Sequence, residues 1–81
     1  MRRFGVAELL EWLARRLVDE PDAVRVETEE REDAIVFHLH VAPDDVGKVI
    51  GRQGRIARAF RSVVRAGGSR VRERYLLEIA D

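Results

Sequence analysis

Val49-Ile50-Gly51-Arg52-Gln53-Gly54-Arg55-Ile56 is the stretch that decides the fold of this 81-residue chain. Its two glycines separate a short segment with a helical pattern from a longer one. Gly51 can end the first helix with a positive φ at little cost, because glycine has no Cβ. Gly54 opens the second helix, where its backbone can approach a ligand closely. Because the first amides of a helix lack internal partners and lie at the positive end of its dipole, this loop suits a phosphate.

The two side chains between the glycines are suited to binding. Arg52 adds a positive charge and Gln53 adds hydrogen-bond donors, but neither is a general base or a nucleophile. We therefore expect a site that holds an anion.

Two helices flank the loop. The first is predicted at residues 45–50, where an aspartate after Pro43 supplies the N-cap. The second is predicted at residues 55–66, and Gly67-Gly68 is expected to end it. Its core-facing arc comprises Ile56, Ala59, Phe60, Val63 and Ala66. A stripe on another face comprises Arg55, Arg58, Arg61 and Arg65. Matching glutamates for intrahelical pairs are absent, which argues against an ordinary solvated helix face.

One more helix and three strands complete the pattern. Apolar residues at helical spacing predict a helix over residues 4–19, which Pro21 ends. Alternation over residues 23–31 and 34–41 predicts a hairpin, and alternation over residues 70–79 predicts a third strand. The inward face of the third strand is predicted to be Val71, Tyr75, Leu77 and Ile79.

The element order is α-β-β-α-α-β, and strands with apolar residues on one face need a cover of helices. We therefore expect a single α+β two-layer domain over residues 1–81, with three helices covering three strands. Trp12 falls on the polar side of the first helix, which is unusual for so large an apolar group. It is expected to lie under a loop, with a partner contact as the alternative.

Composition excludes several classes of protein. No cysteine is present, so disulfides and thiolate metal sites are excluded. No apolar run approaches the roughly 20 residues of a membrane span, and acidic residues near the N-terminus argue against a signal peptide, so we expect a cytoplasmic protein. Nucleotide-binding glycine motifs and a nucleophile–base pair are also missing, so an enzyme is the least supported class.

The net charge of zero hides a division between the two halves. Residues 1–47 hold six arginines and twelve acidic residues, whereas residues 48–81 hold nine basic and three acidic residues. The basic half begins at the glycine loop. Such an asymmetry fits a nucleic-acid-binding face, although a solvated basic surface is the alternative.

Two histidines are candidate metal ligands. His38 and His40 are two residues apart on a predicted strand and therefore share one face. No third ligand is evident, so we expect both on the wet face of the sheet and predict neither a metal nor a cofactor.

The segment from Asp45 to Ile56 resembles the signature loop of the KH domain, a module that binds single-stranded nucleic acid. From about Val6 to Ile79, the chain is similar to the small stand-alone KH proteins of bacteria, the KhpA family. This resemblance implies the type II KH arrangement, in which the sheet is mixed. It also implies a groove for about four unpaired nucleotides, with the loop on one wall and the sheet edge near Ile35 and Phe37 on the other.

The resemblance and the charge pattern together define the expected RNA-binding residues. The cations expected to contact phosphates are Lys48, Arg52, Arg55 and Arg58. Gly51, Gln53 and Gly54 form the loop itself. An aliphatic floor is expected from Val46, Ile50 and Ile56. We expect short single-stranded RNA to be bound with loose sequence preference, in post-transcriptional regulation or as an RNA chaperone.

Partners follow from the same resemblance. It implies a homodimer and pairing with a larger KH-containing bacterial protein of the KhpB type. Two rival interpretations remain open: a helix-turn-helix that reads duplex DNA with residues 55–66, and a protein-interaction module with a vestigial groove. The three strands and the Arg52-Gln53 loop argue against the first, whereas the neutral net charge and Trp12 support the second.

Overall fold

Three helices pack on one face of a three-stranded sheet. The computed structural model describes residues 5–80. The helices are α1 (Val6–Arg15), α2 (Val46–Ile50) and α3 (Arg55–Val71), and the strands are β1 (Arg25–Glu30), β2 (Ile35–His40) and β3 (Tyr75–Ala80). The predicted α+β two-layer fold and its element order are thereby confirmed.

The sheet has the order β1-β2-β3, with β2 in the centre. β1 pairs antiparallel to β2, and Val26 faces Leu39 across this pair. β3 pairs parallel to β2, and Phe37 faces Leu77. The sheet is therefore mixed, as the resemblance to KH domains implies. The expected groove wall near Ile35 and Phe37 is wrong, because β2 is flanked on both sides and Phe37 is buried.

α1 covers the β1 side of the sheet. Leu10 and Ala14 are fully buried on its inner face, as its spacing predicts. The helix ends at Arg15, earlier than the predicted range of 4–19, of which residue 4 lies outside the described residues. Trp12 is not under a loop: it is 51% exposed, and the Arg16 guanidinium lies 4.8 Å from its ring centroid.

α3 continues through the glycine pair that was expected to end it. A Cβ at Gly67 would lie 2.5 Å from Val6 Cγ2, and a Cβ at Gly68 would lie 2.5 Å from the Glu73 carbonyl oxygen. The two glycines therefore let α1 and the start of β3 approach the helix closely. The Glu73 N–H also donates to the Gly68 carbonyl at 2.8 Å, which fixes the turn into β3.

Because the helix is longer, the third strand begins at Tyr75 and not at residue 70. Val71 is therefore a helical residue, and it is 55% exposed where an inward position was predicted. From Tyr75 onward the predicted alternation holds. Leu77 is buried, and Tyr75 and Ile79 are half-buried against the core.

Phe60 is buried in the core with Leu39 and Leu77. The side chain that accompanies it on α3 is Val64, which is 1% exposed, whereas Val63 is only half-buried. The buried arc of α3 is therefore Ala57, Phe60, Val64 and Gly68. Ala59 and Ala66, which were predicted to face the core, are exposed.

Asp45 is the one buried charged residue within residues 5–80, with 1% exposure. It directly precedes α2, but its side chain does not cap that helix. Its carboxylate accepts hydrogen bonds from the backbone N–H of Asp19 at 3.3 Å and of Glu20 at 3.1 Å. It also lies 3.5 Å from Lys48 Nζ. Asp45 thus fastens the α1–β1 connection to the start of α2.

The charged form of Asp45 is favoured by these partners. Burial raises the pKa of the carboxyl group, but the two backbone N–H groups and the Lys48 ammonium outweigh burial and leave the pKa below its ordinary value. The contribution of Asp45 to stability is therefore complete above the pKa of an aspartate in the unfolded chain, about 3.9. That contribution is lost as the pH falls through the lower pKa of the folded state.

Replacing Phe60 by alanine is expected to lower the free energy of unfolding by about 3–5 kcal/mol, because a large ring leaves a cavity in a small core. Urea unfolding followed by circular dichroism measures the change. Val71→Ala is the matched control on the exposed side of the same helix, with an expected change under about 0.5 kcal/mol. An unchanged midpoint for Phe60→Ala would contradict the packing of α3.

Replacing Asp45 by asparagine is expected to destabilise the protein at pH 7. A neutral amide lacks the negative charge that pairs with Lys48 and accepts hydrogen bonds from two backbone N–H groups. Asp44→Asn alters the exposed neighbour and should change stability little. The difference between parent and Asp45→Asn should shrink below about pH 4, where the Asp45 carboxyl of the unfolded chain protonates, and disappear as the pH falls through the lower pKa of the folded state. Urea unfolding at pH 7 and at lower pH tests this, and a pH-independent difference would refute the linkage.

Candidate nucleic-acid interface

The loop between α2 and α3 has three positive φ angles in four residues. Gly51 has φ 77° and ψ 171°, a region open essentially only to glycine. Gln53 and Gly54 have φ 56° and φ 73°, both in the left-handed region. Gly51 thus ends α2 as predicted, but in an extended mirror conformation and not in the left-handed helical one. The Gly54 N–H donates to the Gly51 carbonyl at 3.0 Å, which closes the turn.

The two glycines face different surroundings. A Cβ at Gly51 would lie 2.7 Å from Ile56 Cγ1, so the loop backbone rests directly on that side chain. A Cβ at Gly54 would meet only a guanidinium nitrogen of Arg58, at 3.6 Å. Gly51 is therefore required by packing and backbone conformation. Gly54 is required by its conformation, and the space around it is open for a ligand.

The predicted aliphatic floor is only partly exposed. Val46 and Ile56 are half-buried and pack against the hydrophobic core. Ile50 is 38% exposed and offers the most apolar surface of the three. α2 and α3 pack on each other, so these side chains belong to one helix pair around the loop.

Three of the four predicted phosphate-contacting cations surround the loop. Arg52 is exposed within it. Arg55 donates to the Gln53 side-chain oxygen at 3.4 Å, and Arg58 reaches back to Gly54. These three guanidinium groups and the first amides of α3 concentrate positive potential at one end of the helix pair.

Lys48 has a different environment. Its ammonium lies 3.1 Å from an Asp19 carboxylate oxygen and 3.5 Å from an Asp45 oxygen. The hydrogen bond to Asp19 is the main reason that the pKa of Lys48 is raised above its ordinary value. Lys48 is therefore already paired with carboxylates, and it holds α2 against the α1–β1 connection.

The arginines fall into two groups, those whose guanidinium contacts another side chain and those whose guanidinium does not. Arg15, Arg25, Arg31 and Arg74 form ion pairs with carboxylates, and Arg16 lies over Trp12. Within residues 5–80, the arginines that contact no carboxylate, amide or ring are Arg52, Arg58, Arg61, Arg65, Arg70 and Arg72. All six lie between the loop and Arg72, the residue that follows α3. The sequence shows the basic half, but only the structure shows that six of its nine basic side chains have no such partner.

The sheet edge beside α3 is β3, and a cleft lies between them. Its volume is about 230 Å³, and Arg61, Arg65 and the partly exposed Leu76 line it. None of these three residues was predicted to belong to the site. The signal that could have found them is the arginine stripe, whose spacing continues from Arg58 to Arg61 and Arg65.

The histidine pair lies on the helix-free face of the sheet. His38 Nε2 is 2.8 Å from Glu29 and its Nδ1 is 3.2 Å from Glu78, while His40 Nε2 is 2.7 Å from Glu27. Hydrogen bonds from Arg31 and then from His38 hold the pKa of Glu29 below its ordinary value. Across residues 5–80, no set of three histidine, cysteine or acidic residues is arranged to hold a metal ion.

The described part of the chain contains no helix with the length and apolarity needed to span a bilayer. The family profile described as KhpA/KhpB, KH domain matches residues 7–79.

Curated bacterial proteins align with nearly the whole chain. RNA-binding protein KhpA from Clostridium acetobutylicum is 49% identical over 72 residues, which are 89% of this chain and 96% of that protein. RNA-binding protein KhpA from Caldanaerobacter subterraneus is 46% identical over 74 residues, or 91% of this chain and 99% of that protein. The KhpA of Borreliella burgdorferi is 42% identical over the full length of both chains.

The crystal structure of Era from Aquifex aeolicus also matches, with a TM-score of 0.56 at 17% identity, over 91% of this chain and 29% of that one. At this identity the match shows a shared fold. The family profile and the relatives carry the assignment: the chain belongs to the KhpA/KhpB family of KH-domain proteins.

Proposed function

We propose that this protein binds short single-stranded RNA at the loop between α2 and α3. The observation that carries the proposal is the positive loop itself: a Gly51–Gly54 turn that opens on α3, with Arg52 and Arg58 free of carboxylates. The names of the relatives, RNA-binding protein KhpA, support the same ligand.

The RNA backbone is held by the loop. The first amides of α3 and the guanidinium groups of Arg52, Arg55 and Arg58 meet successive phosphates. Gly54 allows the backbone of the loop to approach the ligand, since almost nothing occupies the space beside it. Lys48 acts indirectly: by pairing with Asp19 and Asp45, it positions α2 and therefore the loop.

The bases lie beyond the phosphates, on apolar side chains. Ile50 supplies the most exposed part of the floor, and Val46 and Ile56 supply its partly buried remainder. The second wall is the β3 edge, which stands beside α3 in place of the expected segment near Ile35. Base selection through shape and a few base-edge hydrogen bonds gives loose sequence preference over about four nucleotides.

The protein acts as a binding protein and not as an enzyme, in post-transcriptional regulation or as an RNA chaperone in the bacterial cytoplasm. A single small groove gives modest affinity, and a second copy raises it through avidity. A homodimer and a complex with a larger KH protein of the KhpB type both fit this need.

A protein-interaction module is the second candidate, and one observation favours it. Trp12 is 51% exposed with the Arg16 guanidinium over its ring. Tryptophan and arginine are the residues most enriched at the energetic centres of interfaces. We assign this pair to the dimer contact, a role in addition to RNA binding.

Replacing Arg52 and Gln53 together by aspartate is expected to abolish or sharply reduce RNA binding, because negative charge then faces the phosphates. Both side chains are exposed, and aspartate tolerates the positive φ at position 53, so stability should change by under about 0.5 kcal/mol. Fluorescence anisotropy with a short unstructured RNA measures binding, and circular dichroism with a melting curve verifies folding.

Arg25→Asp reverses an exposed arginine of the acidic half and serves as the control. It should leave binding nearly unchanged. In the parent, binding should weaken with salt by roughly 0.7 log units per log unit for each phosphate contact. A folded loop variant that binds as tightly as the parent would refute the RNA site, and the interaction module would then be the leading candidate.

Trp12→Glu is expected to convert a dimer into a monomer, because a charged side chain cannot be buried in an apolar contact without a partner. Light scattering at micromolar concentration gives the mass of parent and variant. Val71→Glu changes another exposed apolar side chain and should leave the dimer intact. A parent that is monomeric with and without RNA would exclude the dimer, and a dimeric Trp12→Glu variant would move the contact elsewhere.

A further inference from the structure

We propose that Arg61, Arg65 and the edge of β3 form a second RNA subsite, which takes the nucleotides that follow those held at the loop. The inference rests on the proposed function and extends it from a strand of about four nucleotides to one of about eight.

Continuity with the loop is the first argument. Arg58, Arg61 and Arg65 follow one another at spacings of three and four residues, so they form one stripe on α3. Arg58 reaches back to the loop, 3.6 Å from the position of a Cβ on Gly54. From Arg58 to Arg65 the helix rises about 10 Å, so the stripe carries positive charge well past the loop.

The surroundings of the stripe form a site with both polar and apolar parts. Arg61 and Arg65 line the cleft of about 230 Å³ between α3 and β3. β3 is an edge strand, so the outer side of its backbone has no strand partner in this sheet. Leu76 lines the rim of the cleft and is 36% exposed, on the side of β3 that faces away from α3. Guanidinium groups meet phosphates and stack on bases, and an aliphatic side chain packs on a base face.

Charge in the cleft is strongly one-sided. Neither Arg61 nor Arg65 contacts a carboxylate in the described part of the chain. The acidic residue that lines the cleft is Glu78, and its carboxylate is engaged elsewhere, 3.2 Å from His38 Nδ1 and 4.0 Å from Arg31. Like charges three and four residues apart on a helix repel one another. A bound polyanion removes this repulsion.

The same cleft could be read as a site for an acidic peptide that adds a strand to β3. Continuity with Arg58 and the loop favours RNA, because one flexible polyanion can occupy both sites at once. The experiment therefore uses RNA length as its variable.

Binding of a labelled single-stranded RNA tetramer and octamer of mixed sequence is measured by fluorescence anisotropy over a range of salt. The parent should bind the octamer more tightly and with a steeper salt dependence. Arg61→Gln with Arg65→Gln should remove this gain, lowering the octamer slope by roughly 1.4 log units per log unit of salt for two lost contacts. Tetramer binding should be unchanged.

Two variants control for charge and folding. Arg61→Lys with Arg65→Lys keeps the charge and should retain most of the slope. Arg70→Gln with Arg72→Gln removes two other unpaired arginines, beyond the stripe, and should leave the octamer gain intact. Circular dichroism and melting curves show that each variant is folded.

The outcomes separate the two hypotheses. If the parent binds neither oligomer, the proposed function fails and the subsite fails with it. If the parent binds both but Arg61→Gln with Arg65→Gln keeps the octamer gain, only the subsite is overturned. A labelled oligoglutamate peptide that binds the parent and not that variant, while the octamer gain persists, would overturn it in favour of an acidic protein partner.

Discussion

The geometry of the loop depends on one buried carboxylate. Asp45 accepts hydrogen bonds from two backbone N–H groups of the α1–β1 connection and lies beside the Lys48 ammonium. α2 is only five residues long and cannot be stable as an isolated helix. Its position is therefore set by tertiary contacts: Asp45 at its start, Val49 in the core and Gly51 on Ile56 at its end. We call these contacts of Asp45 and Lys48 the tether. A substitution that breaks the tether would move the loop without changing any loop residue.

The tether also gives Lys48 a different role from the arginines that follow it. Lys48 is paired with carboxylates and belongs to the tether, whereas the arginines from Arg52 to Arg72 have no carboxylate partner. This explains how a chain with no net charge can present a strongly positive surface. On β1, Glu27 and Glu29 contact Arg25, Arg31 and the two histidines of β2, so these two carboxylates are engaged within the sheet.

The sequence alone predicts the order of elements, the loop and most of the core, because these features follow from local period and from glycine chemistry. Phe60 and Leu77 are buried as their periodicity indicates. The errors have non-local causes. Gly67-Gly68 looks like a helix stop, and only the approach of Val6 and Glu73 shows why the helix continues with glycines there. The role of Asp45 was also hidden, because its partners are 25 and 26 residues away.

The site divides in the same way. The loop residues and the arginines around it could be predicted from spacing and charge, whereas the second wall that we propose could not. Strand order decides which edge is open, and β2 occupies the centre of the sheet. Trp12 was misplaced because amphipathic periodicity tells which face is polar but not whether another segment covers it.

The glycine pair inside α3 has a consequence for how this protein can evolve. Each glycine in a helix interior costs roughly 1 kcal/mol relative to alanine, so both positions invite a stabilising substitution. Neither can accept one while Val6 and Glu73 remain within 2.5 Å of where a Cβ would stand. A mutational path to a stiffer α3 therefore needs a smaller or shifted side chain at position 6 to free Gly67, or a rebuilt turn into β3 to free Gly68. Gly67 and Gly68 can therefore be substituted only together with compensating changes elsewhere in the chain.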